Sequence, residues 1–341
     1  MPVDPLPHAW GRPAVKAVLR AVPEDFQVEE ELGFSADGEG QHVLLRIRKR
    51  NSNTQWVARR LAHIAGVPGR AVGFAGLKDR FALTTQWFSV DLAGRKEPDW
   101  SVLGDPEMRV LEACRHGRKL RRGALRGNRF TLVLRHIEGS STELERRLCA
   151  VRESGVPNYF GEQRFGRDGA NLERAAAMFR GELRVTDRHR RGLYLSAARS
   201  LLFNRILARR VGDGTWTRAL PGDVLMLAGS HSFFCAEELS QEIERRVAAR
   251  DLFPSAPLWG KGSSAARDRA LLLEQEVLQS LRFWCDGLEA AGLKQQRRRL
   301  LLLPEAFAWE WLPDGALRLR FSLPAGSYAT MVVRELVAAA G

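Results

Sequence analysis

"GALRLRFSLPAGSYATMVVRELVAAAG", residues 315–341, decides the architecture. Leu317, Leu319, Phe321 and Leu323 alternate with Arg318 and Arg320, the period of a strand with one buried face, and a Pro-Ala-Gly turn then leads into a helix. The same strand-rich character marks the N-terminal part of the chain, whereas the middle reads as mainly helical. The economical arrangement is a mixed α/β (α+β) domain of antiparallel sheet and helices made by both ends of the chain, residues 1–153 plus 300–341. A mainly helical insertion, 154–299, interrupts it.

Working back from that strand, "NRFTLVLR" (128–135) puts Asn128, Phe130, Leu132 and Leu134 on one face. A strand-start Asn beside a core Phe and a polar-aromatic pair lining a site are both open readings. "HVLLRIRKR" (42–50) reads as a strand with Val43, Leu45 and Ile47 inside and Leu44, Arg46 and Arg48 on a basic outer face. "NSNTQWVARRLAHIAGVPG" (51–69) carries Trp56, Val57, Leu61 and Ile64 at helical spacing. "GSSTELERRLCAVRES" (139–154) opens on a capping box from Ser140 to Glu143. In the insertion, helices are expected at Leu172–Phe179, Ser196–Arg210 and Ser240–Arg250, with one long helix from Ala265 to Ala290.

The chain has 341 residues, 53 Lys plus Arg against 40 Asp plus Glu, and a net charge of +13, which favours a polyanionic partner, nucleic acid foremost. "RHGRKLRRGALRGNRFTLVLR" (115–135) holds eight basic residues and no acid. Arg118, Lys119, Arg121 and Arg122 are its expected RNA-backbone contacts, and "KQQRRR" (294–299) is a second basic tract. The four cysteines, Cys114, Cys149, Cys235 and Cys285, form no C-x-x-C pair, so neither a disulfide framework nor a metal site is expected. There is no H-E-x-x-H, G-x-S-x-G or G-x-G-x-x-G. "SAPLWGKGSS" (255–264) fails as a phosphate loop because Ser255 stands where the first glycine belongs. No apolar run reaches a membrane span and the opening residues lack a signal-peptide core, so a cytoplasmic protein without nucleotide, metal or membrane partner is expected.

"GFAGLKDRFALTTQWFSV" (73–90) sets Asp79 between Lys78 and Arg80, at a junction between two apolar segments. Either this is a solvated turn, or a carboxylate is kept there for chemistry.

The chain resembles the TruD family of tRNA pseudouridine synthases. The resemblance rests on "VPEDFQVEE" (22–30), "GLKDRFALTTQWFS" (76–89), "LRRGALRGNRF" (120–130), "VPNYFGEQRFG" (156–166), "NRILARR" (204–210) and "LPAGSYATMVVREL" (323–336), in family order. It implies a pseudouridine synthase catalytic domain carrying the TRUD insertion, and isomerisation of a tRNA uridine, uridine 13 of the D arm. A monomer is expected, and no cofactor is, since no cofactor motif is present and the isomerisation is redox-neutral. The resemblance makes Asp79 of the G-x-K-D motif the nucleophile. Asn128 and Phe130 of G-N-R-F then line the site, Asn128 near the carboxylate and Phe130 against the base. Phe26 of E-D-F and Tyr328 of A-G-S-[FY]-A-T are further substrate contacts. Lys78, also expected at the substrate, and Arg80 flank Asp79 as cations, and the sequence leaves open which of the two turns inward. Many members carry Phe where this chain has Tyr328. Two rivals stand beside this reading: a non-catalytic RNA-binding protein on the same fold, and an aspartate-dependent RNA hydrolase, which would need a second carboxylate or a metal that no spacing supplies.

Overall fold

The computed structural model describes residues 6–104 and 107–339. In chain order its elements are β1 (Lys16–Leu19), β2 (Phe26–Leu32), β3 (His42–Arg50), α1 (Thr54–Ile64), β4 (Val72–Phe74), β5 (Leu83–Asp91), β6 (Met108–His116) and β7 (Leu125–Glu138). There follow α2 (Ser141–Ser154), β8 (Val156–Pro157), α3 (Ala170–Phe179), α4 (Arg188–Gly212), β9 (Val224–Leu227), β10 (Phe233–Cys235), α5 (Gln241–Ala248) and β11 (Leu252–Leu258). The chain ends with α6 (Asp268–Gln279), α7 (Arg282–Ala290), β12 (Gln296–Arg299), β13 (Leu301–Leu302), β14 (Glu305–Trp311), β15 (Leu317–Pro324), α8 (Ala329–Leu336) and β16 (Ala338–Ala339). These group into two compact units, one from the described residues of 14–144, 304–326 and 337–341, the other from those of 1–13, 145–303 and 327–336.

The first unit is built on one mixed sheet in the order β14-β15-β7-β2-β5-β3-β6, with β1 attached at β7, β16 paired to β1, and β4 at β5. β15 lies antiparallel to β7 with Phe321 opposite Phe130 and Leu323 opposite Asn128. On the other side of β7, Val28 of β2 faces Phe130 and Glu30 faces Asn128. Cross-strand partners share a face, so the apolar sets expected of both strands come together. Leu317, Leu319, Phe321 and Leu323 are buried, as are Phe130, Leu132 and Leu134. Further along the sheet, Val43, Leu45, Ile47, Phe88 and Val90 pack against Val57 and Leu61 of α1, which Asn53 caps through Gln55 N at 2.8 Å. Each such side chain contributes about 1.5–3 kcal/mol on burial.

The opposite face is less basic than alternation suggests. Leu44 is fully buried there, under Leu120, with Ala75, Leu32 and Trp87 around it. A loop from the basic segment therefore covers part of this face, and Leu120 N donates to Ser89 Oγ at 2.8 Å. Gly73 permits that approach, since a Cβ there would strike the Leu120 carbonyl.

The second unit departs from expectation in three ways. Helix α4 starts at Arg188, well before Ser196, because Asp187 caps it by accepting from Arg190 N at 2.8 Å. The single helix expected over 265–290 is two, α6 and α7. The break lets Phe283 and Trp284 meet Phe179 edge to face, with Gly287 so close that a Cβ would enter the Phe179 ring. The region also contains a four-stranded sheet, β10-β9-β11-β12, that periodicity did not reveal. Strand β11, "LFPSAPL", carries Pro254 and Pro257; Leu252–Pro254 pair with β9 and Ser255–Leu258 with β12. Each half of β11 thus has one partner, so the missing proline N–H groups cost the ladder little.

Candidate active site

Asp79 lies in the irregular stretch between β4 and β5, and a gap in the sheet explains how that stretch is held. Pairing of β2 with β5 ends at Glu29–Thr85, and β4 resumes it at Phe74–Phe88. Among the described residues no strand pairs with Gln86 and Trp87 on that edge. Glu30, fully buried, fills the gap: one carboxylate oxygen accepts from Trp87 N at 2.9 Å and the other from Lys78 Nζ. Gln86 Nε2 donates to Gly76 O at 2.8 Å, Thr54 Oγ1 donates to Gln86 Oε1 at 2.9 Å, and Lys78 N donates to Thr54 Oγ1 at 3.1 Å. Burial pushes the Glu30 carboxyl up, and the Lys78 ammonium and the Trp87 amide pull it back. Lys49, equally buried beside them, is lowered to about 8, chiefly by burial and then by Lys78.

Of the three residues Lys78-Asp79-Arg80, then, the lysine turns inward. Expected as a substrate contact, Lys78 is 9 % exposed at its side chain and ion-paired with Glu30 under the loop. Arg80 lies outside and donates from Nε to Asn51 O at 3.3 Å. The cation beside the Asp79 carboxylate is neither neighbour but Arg20, whose Nη2 is 2.6 Å from Asp79 Oδ2. Arg20 sits just past β1 with φ +68°, in the left-handed region that a non-glycine residue seldom adopts. Its guanidinium lies over the Phe26 ring, 3.7 Å from Cζ to the centroid. Sequence reasoning missed both Arg20 and Glu30. A single basic residue at a strand end carries no local signal, and Glu30 sits in an acidic run that looks like a solvated face.

Phe26 and Phe130 are brought together, ring centroids 6.3 Å apart and edge to face, and Phe130 stacks on Phe321 at 5.5 Å. Both are buried, Phe26 at 4 % and Phe130 at 6 % exposure. Their rings thus belong to the sheet core as the structure stands. Asn128, on the same face, is half-buried and its Oδ1 has no hydrogen-bond partner among the described residues although it is shielded from water. An orphaned acceptor of that kind is costly unless a ligand donor satisfies it. Tyr328 lies in the other unit, where its hydroxyl accepts from Arg164 Nε at 2.8 Å, Arg164 Nη1 reaches Ser196 Oγ at 2.9 Å, and the ring meets Phe160 edge to face. No group of three or more His, Cys, Asp or Glu placed to hold a metal ion occurs among the described residues.

The family model for tRNA pseudouridine synthase D matches residues 6–182 and 169–336. The chain belongs to the TruD family. It is 52 % identical to tRNA pseudouridine synthase D of Nitrosococcus oceani over 334 residues, 97 % of this chain and 93 % of that one. It is also 52 % identical to the protein of the same name from Aeromonas salmonicida over 338 residues, 99 % of this chain and 95 % of that one. A solved structure from Methanosarcina mazei, assigned to tRNA pseudouridine synthase D, superposes with a TM-score of 0.72 over 98 % of this chain and 96 % of its own. At 24 % identity that likeness speaks for the TruD fold.

Within this TruD chain the two basic tracts differ. Arg118, Lys119, Arg121 and Arg122 are exposed on the loop over Gly73, where Lys119 Nζ donates to Arg70 O and Arg122 lies over the Phe74 ring. The flanking basics are balanced by distant acids: Arg115 by Glu97, Arg129 by Glu31, and Arg135 by Asp25 and Asp314. The 294–299 tract is a correction to the expected RNA contact. Arg297 is buried with Glu274 at 2.9 Å, Arg298 lies 4.1 Å over Phe160, and Arg299 lies 4.4 Å over Phe253.

Proposed function

We propose that this protein converts uridine 13 of the tRNA D arm to pseudouridine, with Asp79 as the nucleophile. The observation that carries the reading is the Asp79 carboxylate, 40 % exposed at its side chain, held by Arg20 on a tethered loop in the unit that also bears Phe26 and Phe130. The reaction breaks the C1′–N1 bond, turns the uracil, and joins C5 to C1′. The C5 proton leaves and N1 gains one, so the product is an isomer and no redox cofactor enters the balance. A carboxylate is suited to attack on the nucleotide or to stabilise charge at an anomeric carbon. Arg20 fixes its direction by a charge-assisted bond. The target base must leave its stack to reach Asp79, and the orphaned Asn128 Oδ1 suits an N–H donor such as the uracil edge. The exposed basic residues at 118–122 suit the phosphate backbone, and a monomer suffices to supply all of these groups.

The test is to map pseudouridine in tRNA from cells with and without the protein, and to assay Asp79→Asn. That change keeps size and removes the nucleophile. We expect isomerisation to fall below detection with tRNA affinity within a few-fold of wild type; turnover within tenfold of wild type would reject Asp79.

A further inference from the structure

The loop that carries Asp79 is folded inside out. Its lysine is buried, while the two large apolar residues that bracket the aspartate face water: Leu77 is 51 % exposed and Phe81 is 47 % exposed. The hydrophobic effect favours the reverse, because burying an ammonium carries a desolvation cost and burying Leu and Phe is favourable. Floppiness does not explain the arrangement. Gly76 O, Lys78 N and Lys78 Nζ are held from inside by Gln86, Thr54 and Glu30, and Arg80 is tied to Asn51 O. At the loop's two ends, Ala75 O accepts from Gly123 N at 2.8 Å, and Asn51 N donates to Ala82 O at 3.3 Å. The segment is therefore fixed in the form that presents Leu77 and Phe81 outward, two residues before and two after the carboxylate.

We infer that Leu77 and Phe81 are an apolar clamp for the tRNA bases that flank the target uridine, covered only when RNA is bound. The inference rests on the reading of Asp79 given above. The occupant is identified by chemistry. A residue two positions from the nucleophile meets whatever adjoins the reacting nucleotide, and that is another nucleotide. Nucleobases offer flat apolar faces that stack on Phe and pack on Leu, and removing one base from a stack leaves two such faces exposed. The loop's neighbour in space agrees. Gly123, bonded to Ala75, belongs to the exposed basic loop with Arg118, Arg121 and Arg122, so a cationic surface suited to phosphates adjoins the apolar pair.

The experiment compares Leu77→Ala, Phe81→Ala and Phe81→Tyr with wild type on intact tRNA transcript, and on the same tRNA carrying abasic nucleotides at both sides of the target uridine. Turnover, tRNA affinity and melting temperature are measured for each. On intact tRNA, Phe81→Ala should lose about 5- to 100-fold in kcat/KM, the equivalent of one lost base–aromatic stack. Leu77→Ala should lose less, and Phe81→Tyr should stay within twofold. On the abasic tRNA the same variants should differ from wild type by less than threefold, because no base is left to clamp. Both alanine variants within twofold of wild type on intact tRNA would overturn the inference, as would an equal loss on the abasic substrate. So would a fall in melting temperature that accounts for the loss, which would make the pair core, or a wild-type dimer that Phe81→Ala dissociates, which would make it a protein contact. Wild-type protein that isomerises no uridine would instead reject the reading of Asp79, and tRNA affinity would then still report whether the pair touches RNA.

Discussion

Arg20 and Asp79, 59 residues apart in the chain, meet through a 2.6 Å contact between Nη2 and Oδ2, and the same guanidinium rests on Phe26. One side chain thereby ties the carboxylate to a ring of the sheet core. Arg20→Met keeps the aliphatic stem over Phe26 and removes the contact. We expect kcat to drop about 100-fold, the loss typical of a reacting group displaced by an ångström, with tRNA affinity within threefold. Arg20→Lys should recover part of it, since an ammonium can pair with Asp79 but lacks the planar face that stacks on Phe26. Wild-type turnover in Arg20→Met would make the contact an incidental surface ion pair.

Phe130→Ala tests the sheet core rather than a stacking platform alone. The ring stacks on Phe321 and meets Phe26, and it is almost fully buried. Its loss should cost about 3–5 kcal/mol of stability. Denaturant titration checks this, and a change below about 1 kcal/mol would mean that the ring faces an open cleft.

The two basic tracts should separate cleanly. Replacing Arg118 and Arg121 together by Ala should weaken tRNA binding and flatten the dependence of log K on log salt by about one to two, with the melting temperature unchanged. Arg297→Ala should do the opposite, leaving buried Glu274 without its cation at a cost of about 3–5 kcal/mol. Equal effects of both changes on the salt slope would return the 294–299 tract to the RNA surface.

Lys49 predicts a pH signature. Its ammonium, buried and beside Lys78, has its pKa lowered to about 8, below the value of about 10.4 for an unfolded lysine. Between those values the unfolded chain holds the proton and the folded one does not, so stability should rise with pH through that window, and the cost of charge burial is fully present below pH 8. Lys49→Met removes the group. Wild type should therefore gain stability relative to the variant as pH goes from 8 to 10, by on the order of 3 kcal/mol at most. A difference independent of pH in urea titrations at pH 7, 8, 9 and 10 would contradict it.

By itself the sequence determined the strands around Phe130 and Phe321, the helices that follow Asn53 and Ser140, and the family, because alternation, capping and motif order are local patterns. It could not decide what depends on distant partners. Arg118 and Arg297 look alike in basic runs, yet one stays in water and the other, on β12, is buried with Glu274 of α6. Lys78, Asp79 and Arg80 are adjacent, yet the gap between β2 and β4 turns Lys78 inward to Glu30, and the left-handed turn at Arg20 supplies the aspartate's cation. Strand β11 stayed hidden because its prolines erase the alternation that a half-paired strand does not need. Hydrophobic periodicity is written along one element at a time. Charge pairing, and which apolar residues are left in water, are settled only when elements far apart in the chain pack against one another, since a charge enters the interior only where its partner is already placed.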